Sequence, residues 1–214
     1  MQRIFLLSPA HCGGRRANQI LSPAATFALA AELRSDTGAA LGDVFAFVSG
    51  LYFRGKLAYA RRFAKTSGDA NPIVGSGVHV ITPNAGLRSP DTRVTSRALL
   101  AFSGADVHPD NAAYRRPLER SAHALLGELE ADGDVILLGS IASPKYTDVL
   151  LGIFRNRLLF PIDFVGRGDM SRGGLLLRRA AEGPELEYAP VAGAVLHGAR
   201  PPRLPALSKS TFRN

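Results

Sequence analysis

Cysteine is almost missing from this chain: Cys12 is the only one in 214 residues. An intramolecular disulfide is therefore impossible. Cysteine-ligated zinc and iron–sulfur centres are excluded too, since each needs several thiolates. The expected compartment is a reducing cytoplasm. Long apolar runs are also lacking. Ile4-Phe-Leu-Leu7 gives way at once to Ser8-Pro9, which is too short for a signal peptide. No run approaches the ~20 residues of a membrane span, so no membrane partner is expected. Familiar catalytic signatures are absent: there is no Gly-x-Ser-x-Gly, no Gly-x4-Gly-Lys-Ser/Thr and no His-Glu-x-x-His. Gly13-Gly14 lacks the Gly-x-Gly-x-x-Gly spacing of a dinucleotide site. Neither cofactor nor metal is expected, and no internal repeat is visible.

Acidic residues are outnumbered. Lys plus Arg total 26 against 18 Asp plus Glu, a formal charge of +8 with a pI near 10.2. That balance favours a polyanionic partner and says nothing about fold. With 46% hydrophobic residues the chain can bury a full core. We expect one α/β domain over residues 1–195 and a basic, Pro-rich extended tail over 196–214.

Short continuous apolar runs read as strands at Ile4–Leu7, Asp43–Val48, Val78–Ile81, Asp134–Leu138 and Arg157–Phe160, with an edge strand or small hairpin at Leu186–Pro190. Helical patterns lie between them. Ser22-Pro23 starts one that runs to about Arg34, and another covers about Lys56 to Ala64. Further helices are expected from Thr95 to Phe102, from Asn111 to about Ala131 and from Ser143-Pro144 to about Phe154. Strands alternating with helices predict a three-layer sandwich with a central, mostly parallel sheet. Ligands of such sheets sit at the carboxyl ends of the strands. The expected strand-end segments supply His11, Cys12, Arg15, Arg16, Tyr52, Arg54, Lys56, Asn84, Asp91, Ser140, Lys145, Tyr146, Asp163, Arg167, Asp169 and Arg172.

Phe160 to Gly174 is the most suggestive of these segments. Gly166 and Gly168 permit a tight turn and close approach to a ligand. Arg167 and Arg172 bring charge, and Ser171 is placed to cap the next helix with its amides facing an anion. An ordinary glycine-rich turn with solvated arginines explains the same residues. Asp91, Asp163 and Asp169 are the candidate catalytic acids, because a carboxylate beside an anomeric carbon orients water and stabilises an oxocarbenium-like transition state. The alternatives are turn capping for Asp91 and an arginine pair for Asp163. Asn84 is a candidate for positioning water or a base edge. Tyr52 and Phe53 beside Arg54 and Lys56 combine stacking faces with charge, as an unstacked base and its phosphates require; equally, Phe53 is core and the cations are solvated. His11, Arg15, Arg16, Ser140 and Lys145 complete the expected base- and phosphate-binding set.

Several motifs carry a resemblance. Cys12-Gly-Gly-Arg-Arg16, Leu51-Tyr-Phe-Arg-Gly-Lys-Leu57 and Thr82-Pro-Asn-Ala-Gly-Leu-Arg-Ser-Pro-Asp91 resemble segments of bacterial and phage domains of the YaaA-like and DUF6884 type. These are related to uracil-DNA-glycosylase-like folds, and the chain looks similar to prokaryotic antiphage DNA glycosylases. The resemblance implies a uracil-DNA-glycosylase-like sandwich. It also implies an enzyme in antiviral defence that takes double-stranded DNA, flips out a modified nucleotide such as glucosylated hydroxymethylcytosine, and cleaves its N-glycosidic bond. Two other readings stay open: a transferase or hydrolase acting on a free nucleotide or nucleoside, and a non-catalytic nucleic-acid-binding protein.

Overall fold

The computed structural model describes residues 1–67, 71–195, 198–199, 201–202 and 204. Most of the tail expected from residue 196 lies outside the described residues. The chain begins with β1 (Arg3–Leu7), α1 (Arg15–Leu21), α2 (Ala28–Arg34), the short strand β2 (Ala39–Ala40), α3 (Leu41–Ser49) and α4 (Leu51–Phe63). It continues through β3 (Val78–Thr82), β4 (Gly86–Arg88), β5 (Arg93–Val94), α5 (Ser96–Ser103) and α6 (Ala112–Gly127). β6 (Asp134–Leu138), α7 (Pro144–Phe154), β7 (Leu158–Pro161), α8 (Asp169–Ala181) and β8 (Tyr188–Pro190) follow.

Side-chain alternation along the central strands builds two cores. Phe5 and Leu7 of β1 join Val80 and Leu138 on one face, where Ile20, Leu33, Phe45, Phe53, Leu99 and Leu176 of α1 to α5 and α8 cover them. Ile4 and Leu6 join Ile81, Leu137 and Phe160 on the other, under Tyr114 and Leu118 of α6 and Val149 and Phe154 of α7. A strand buried on both faces must be apolar throughout, which is why the strands were legible as continuous runs. The result is an α/β three-layer arrangement around a six-stranded sheet of order β4-β3-β1-β6-β7-β8. β3, β1, β6 and β7 are parallel, and β4 and β8 are antiparallel edges. From β1 the chain crosses to β3 on one side, then returns to pair β6 on the other. The β1/β6 boundary is thus the point where the winding direction switches, and such a point opens a crevice at the strands' carboxyl ends.

Three local expectations are corrected. Asp43–Val48 is not a strand but lies in α3, because Leu41, Val44, Phe45 and Val48 are buried at helical spacing. α4 starts at Leu51, so Tyr52 to Lys56 are its first turns rather than a strand-end loop. The expected helix from Ser22 is split: Ser22 ends α1, since the residue before a proline disfavours helical geometry, and α2 resumes at Ala28. The remaining strands and helices stand within a few residues of expectation, and Leu186–Pro190 does contain the edge strand β8.

α4 and α8 cross at backbone distance. A Cβ on Gly55 would lie 2.6 Å from the Gly173 carbonyl, and one on Gly173 would lie 2.8 Å from the Tyr52 Cα. Both obstacles are backbone and cannot move aside. Gly173→Ala is therefore expected to destabilise the protein by about 1–3 kcal/mol through overpacking. Gly152→Ala in α7, where nothing stands within 4 Å, should instead stabilise it by roughly 0.5–1 kcal/mol by removing glycine's helix penalty. Urea midpoints that move in the same direction for both variants would contradict this account of the crossing.

Candidate active site at the carboxyl ends of the strands

Tyr52 and Lys56 stand four residues apart in α4, so they share a face. That face looks at the end of β1. Lys56 is 1% exposed. Its Nζ donates to the Ser8 carbonyl at 2.6 Å and to the Ser8 Oγ at 2.8 Å. It also sits 4.5 Å from the Tyr52 ring centre and 5.0 Å from that of Phe53. Among the described residues it has no ion-pair partner. Burial pushes the ammonium pKa down from the ordinary lysine range to about 7, and the more distant Asp169 carboxylate offsets part of that.

The close helix crossing brings the first turn of α8 to the same place. Asp169 opens α8, and its carboxylate lies 3.8 Å from the Arg172 guanidinium. Arg172 donates to the Phe164 carbonyl from Nε at 3.2 Å and from NH2 at 3.0 Å, and it lies over the Phe164 ring. The Tyr52 hydroxyl is buried and, among the described residues, has no hydrogen-bond partner of standard geometry. Arg172 is near enough to favour the phenolate but not in bonding geometry, and burial dominates, raising the Tyr52 pKa. Tyr146, from the first turn of α7, feels both Tyr52 and Asp169, and burial pushes its pKa up to about 12. Of this cluster, Tyr146 also lines a small cavity of about 180 Å³, together with His11, Cys12, Pro83, Phe102 and Lys145. The site therefore sits at the switch between β1 and β6, combining a buried amine, two phenols, an exposed carboxylate and a guanidinium.

The other expected residues are distributed as follows. His11 is exposed and its ring lies over Gly13 and Gly14, about 3.5 Å from where a Cβ would stand. Cys12 is buried, its Sγ donates to the Ala10 carbonyl at 3.4 Å, and desolvation pushes the thiol to about 12. Such a thiol is not a nucleophile at neutral pH. Arg15, Arg16, Arg54 and Lys145 are exposed, and Ser140 is half-buried in the loop after β6. Asn84 donates to the Ala101 carbonyl at 3.1 Å, in the tight β3–β4 turn. Asp91 pairs with Arg61 at 2.8 Å. Arg61 lies in the last turn of α4, so this acid faces the opposite end of the helix from Tyr52. Asp163 is exposed, and its backbone carbonyl accepts from Arg167 at 3.0 Å. Ser171 does not cap α8: Gly168 holds that position, and the Ser171 hydroxyl accepts from Arg167 at 3.2 Å. Gly166 is in the left-handed region with φ 72°, as a tight turn requires.

Of the three acids, Asp169 joins the cluster and the other two do not. Ser8 was missed by sequence reasoning, since a serine ending an apolar run has no distinctive pattern. The i, i+4 pairing of Tyr52 and Lys56 was available once a helix was assigned. Against protein-family models, curated proteins and solved structures, the chain has no significant match.

The lowered Lys56 pKa has a measurable consequence. The unfolded chain carries a proton on this amine that the folded chain has already released, between about pH 7 and the ordinary lysine value. Folding stability should therefore rise with pH across the window from pH 7 to 8.5, at up to about 1.4 kcal/mol per pH unit. Lys56→Met should flatten that rise. Chemical denaturation of both proteins at several pH values checks it, and equal slopes would show that Lys56 does not titrate as described.

Proposed function

We propose that this protein is a DNA glycosylase. It flips a modified base out of the duplex, cleaves the N-glycosidic bond and leaves an abasic site, in defence against phage DNA bearing bases such as glucosylated hydroxymethylcytosine. The observation that carries this reading is the gathering of Tyr52, Tyr146, Lys56, Asp169 and Arg172 at the β1/β6 strand ends, where Tyr146 also lines a cavity below the ~300–1,000 Å³ of drug-sized pockets. Phe102 and Tyr146 offer apolar and stacking faces to a flipped base. Asp169 is the carboxylate suited to stabilising an oxocarbenium-like sugar. Exposed Arg15, Arg16, Arg54 and Lys145 supply positive charge for flanking phosphates.

A second reading is an enzyme on a free nucleoside or nucleotide. It is favoured by the hydrogen bonds of Arg167 and Arg172 to the local Asp163 and Phe164 carbonyls, which leave fewer donors for a DNA backbone. Salt separates the two readings: affinity for DNA held by phosphate contacts falls steeply between about 50 and 200 mM salt, whereas a free-nucleotide enzyme binds DNA weakly at both.

The deciding experiment is mass spectrometry of bases released from unmodified, uracil-containing, hydroxymethylated and glucosylated phage DNA. The native protein should release a modified base and leave alkali-labile sites. Asp169→Asn should cut the rate by ~100-fold or more with DNA binding retained. Release from none of the four DNAs would end the glycosylase reading, and full activity of the Asn variant would remove Asp169 from the chemistry.

A further inference from the structure

Lys56 is bonded in a way that a structural lysine does not require. Buried lysines are ordinarily paired with a carboxylate or hold their ammonium at the surface. Here the amine is 1% exposed and, among the described residues, bonded only to the Ser8 carbonyl and hydroxyl. A neutral amine donates two hydrogens to those two oxygens and keeps its lone pair. The Tyr52 and Phe53 ring centres lie 4.5 and 5.0 Å from the nitrogen. Tyr52 is therefore the lid of the amine. Its hydroxyl makes no hydrogen bond of standard geometry among the described residues, so swinging the ring aside gives up only its interaction with Arg172 and the contact with the amine. Immediately beyond are Asp169, Arg172 and Tyr146 at the strand-end crevice.

We propose that Lys56 is a Schiff-base lysine that takes the aldehyde carbon of a ring-opened deoxyribose, the abasic sugar in DNA. This deepens the glycosylase reading and rests on it for the source of that sugar. The Nζ lone pair adds to C1′ to give a carbinolamine, which loses one water to form the iminium. Removal of a C2′ proton, with Asp169 the nearest carboxylate, expels the 3′ phosphate by β-elimination. One water then hydrolyses the iminium, returning the free amine and an unsaturated aldehyde. No oxidant, reductant or metal enters the balance. A pKa near 7 keeps a large fraction of the amine unprotonated at neutral pH, as such lysines require.

The test uses the full-length protein and a duplex oligonucleotide with one abasic site, so it does not depend on knowing which base is removed. Sodium cyanoborohydride reduces an iminium to a stable protein–DNA bond, and peptide mass spectrometry locates it. The chain has four lysines, Lys56, Lys65, Lys145 and Lys209, together with the Met1 amine. The expected result is an adduct on Lys56, at least tenfold weaker at pH 5.5 than at pH 8 and lost in Lys56→Met. Tyr52→Ala, which opens the lid, should trap faster than the native protein. If Lys56→Met does not fold, mapping on the native chain decides alone. No adduct, or an adduct on another lysine or on Met1 only, overturns the proposal. Base release without an adduct on Lys56 leaves the glycosylase reading standing and removes this one. An adduct on Lys56 without base release from any DNA keeps the amine's role and removes the glycosylase reading.

Discussion

The backbone contact between α4 and α8 is the constraint on which the candidate site depends. Glycines face each other there: Gly55 meets the carbonyl of Gly173, and Gly173 meets Tyr52. With any larger residue the axes separate, and the first turn of α8 moves away from the first turns of α4. Asp169 lies one turn before the contact and Arg172 immediately before it, and Tyr52 and Lys56 lie beside it. The same close approach that seals the core on this face therefore sets the distance between the buried amine and its charged neighbours. Apolar burial supplies the driving force for that packing, while the missing Cβ atoms determine where it can act.

Within this frame the lysine is the costly element. Removing an ammonium from water is strongly unfavourable unless it is paired. Lys56 has two oxygens of Ser8 and two aromatic faces in place of a carboxylate. Those contacts suit a neutral amine nearly as well as a cation, so the proton is released before the fold is strained. Ser8 follows β1 where it meets the crevice, and Gly139 follows β6 beside it; a Cβ on Gly139 would stand 3.0 Å from that of Ser8. The two central strands thus end at backbone distance from one another, with the amine at that point. Reactive groups held at such strand ends are positioned by rigid elements rather than by loops, which is what precise chemistry needs.

The arginine-rich segment after β7 behaves differently from a phosphate-cradling loop. Gly166 makes the turn that its sequence called for. The guanidiniums of Arg167 and Arg172, however, fold back onto the carbonyls of Asp163 and Phe164. A carbonyl left by the interrupted backbone after β7 has to be satisfied somehow, and an arginine a few residues on is the nearest donor. Arg172 in doing so stacks on Phe164 and holds the entrance of α8 against the core. Cations in a glycine-rich loop are thus partly structural here, and the chemistry gathers one helix turn further in.

Much of the architecture was legible from the sequence by itself. Runs such as Ile4–Leu7 and Asp134–Leu138 must be strands buried on both faces, so helices on both sides of a parallel sheet follow, and ligands are expected at the strand ends. The lone cysteine excluded an intramolecular disulfide and metal centres that need several thiolates. What the sequence left ambiguous was Val44-Phe-Ala-Phe-Val48, because a short apolar run has no period of its own and only its neighbours Leu41 and Asp43 mark it as helical. Once that segment became a helix, Tyr52 and Lys56 passed from a loop to one helical face. Only the tertiary structure decided which acid stands near them. Asp91, Asp163 and Asp169 are equivalent on paper, yet Asp91 is drawn to Arg61 at the far end of α4 and Asp169 is brought toward Tyr52 and Lys56 by a glycine crossing. Local periodicity sets elements and faces, but the meeting of residues more than a hundred positions apart depends on packing between helices, and no local pattern encodes it.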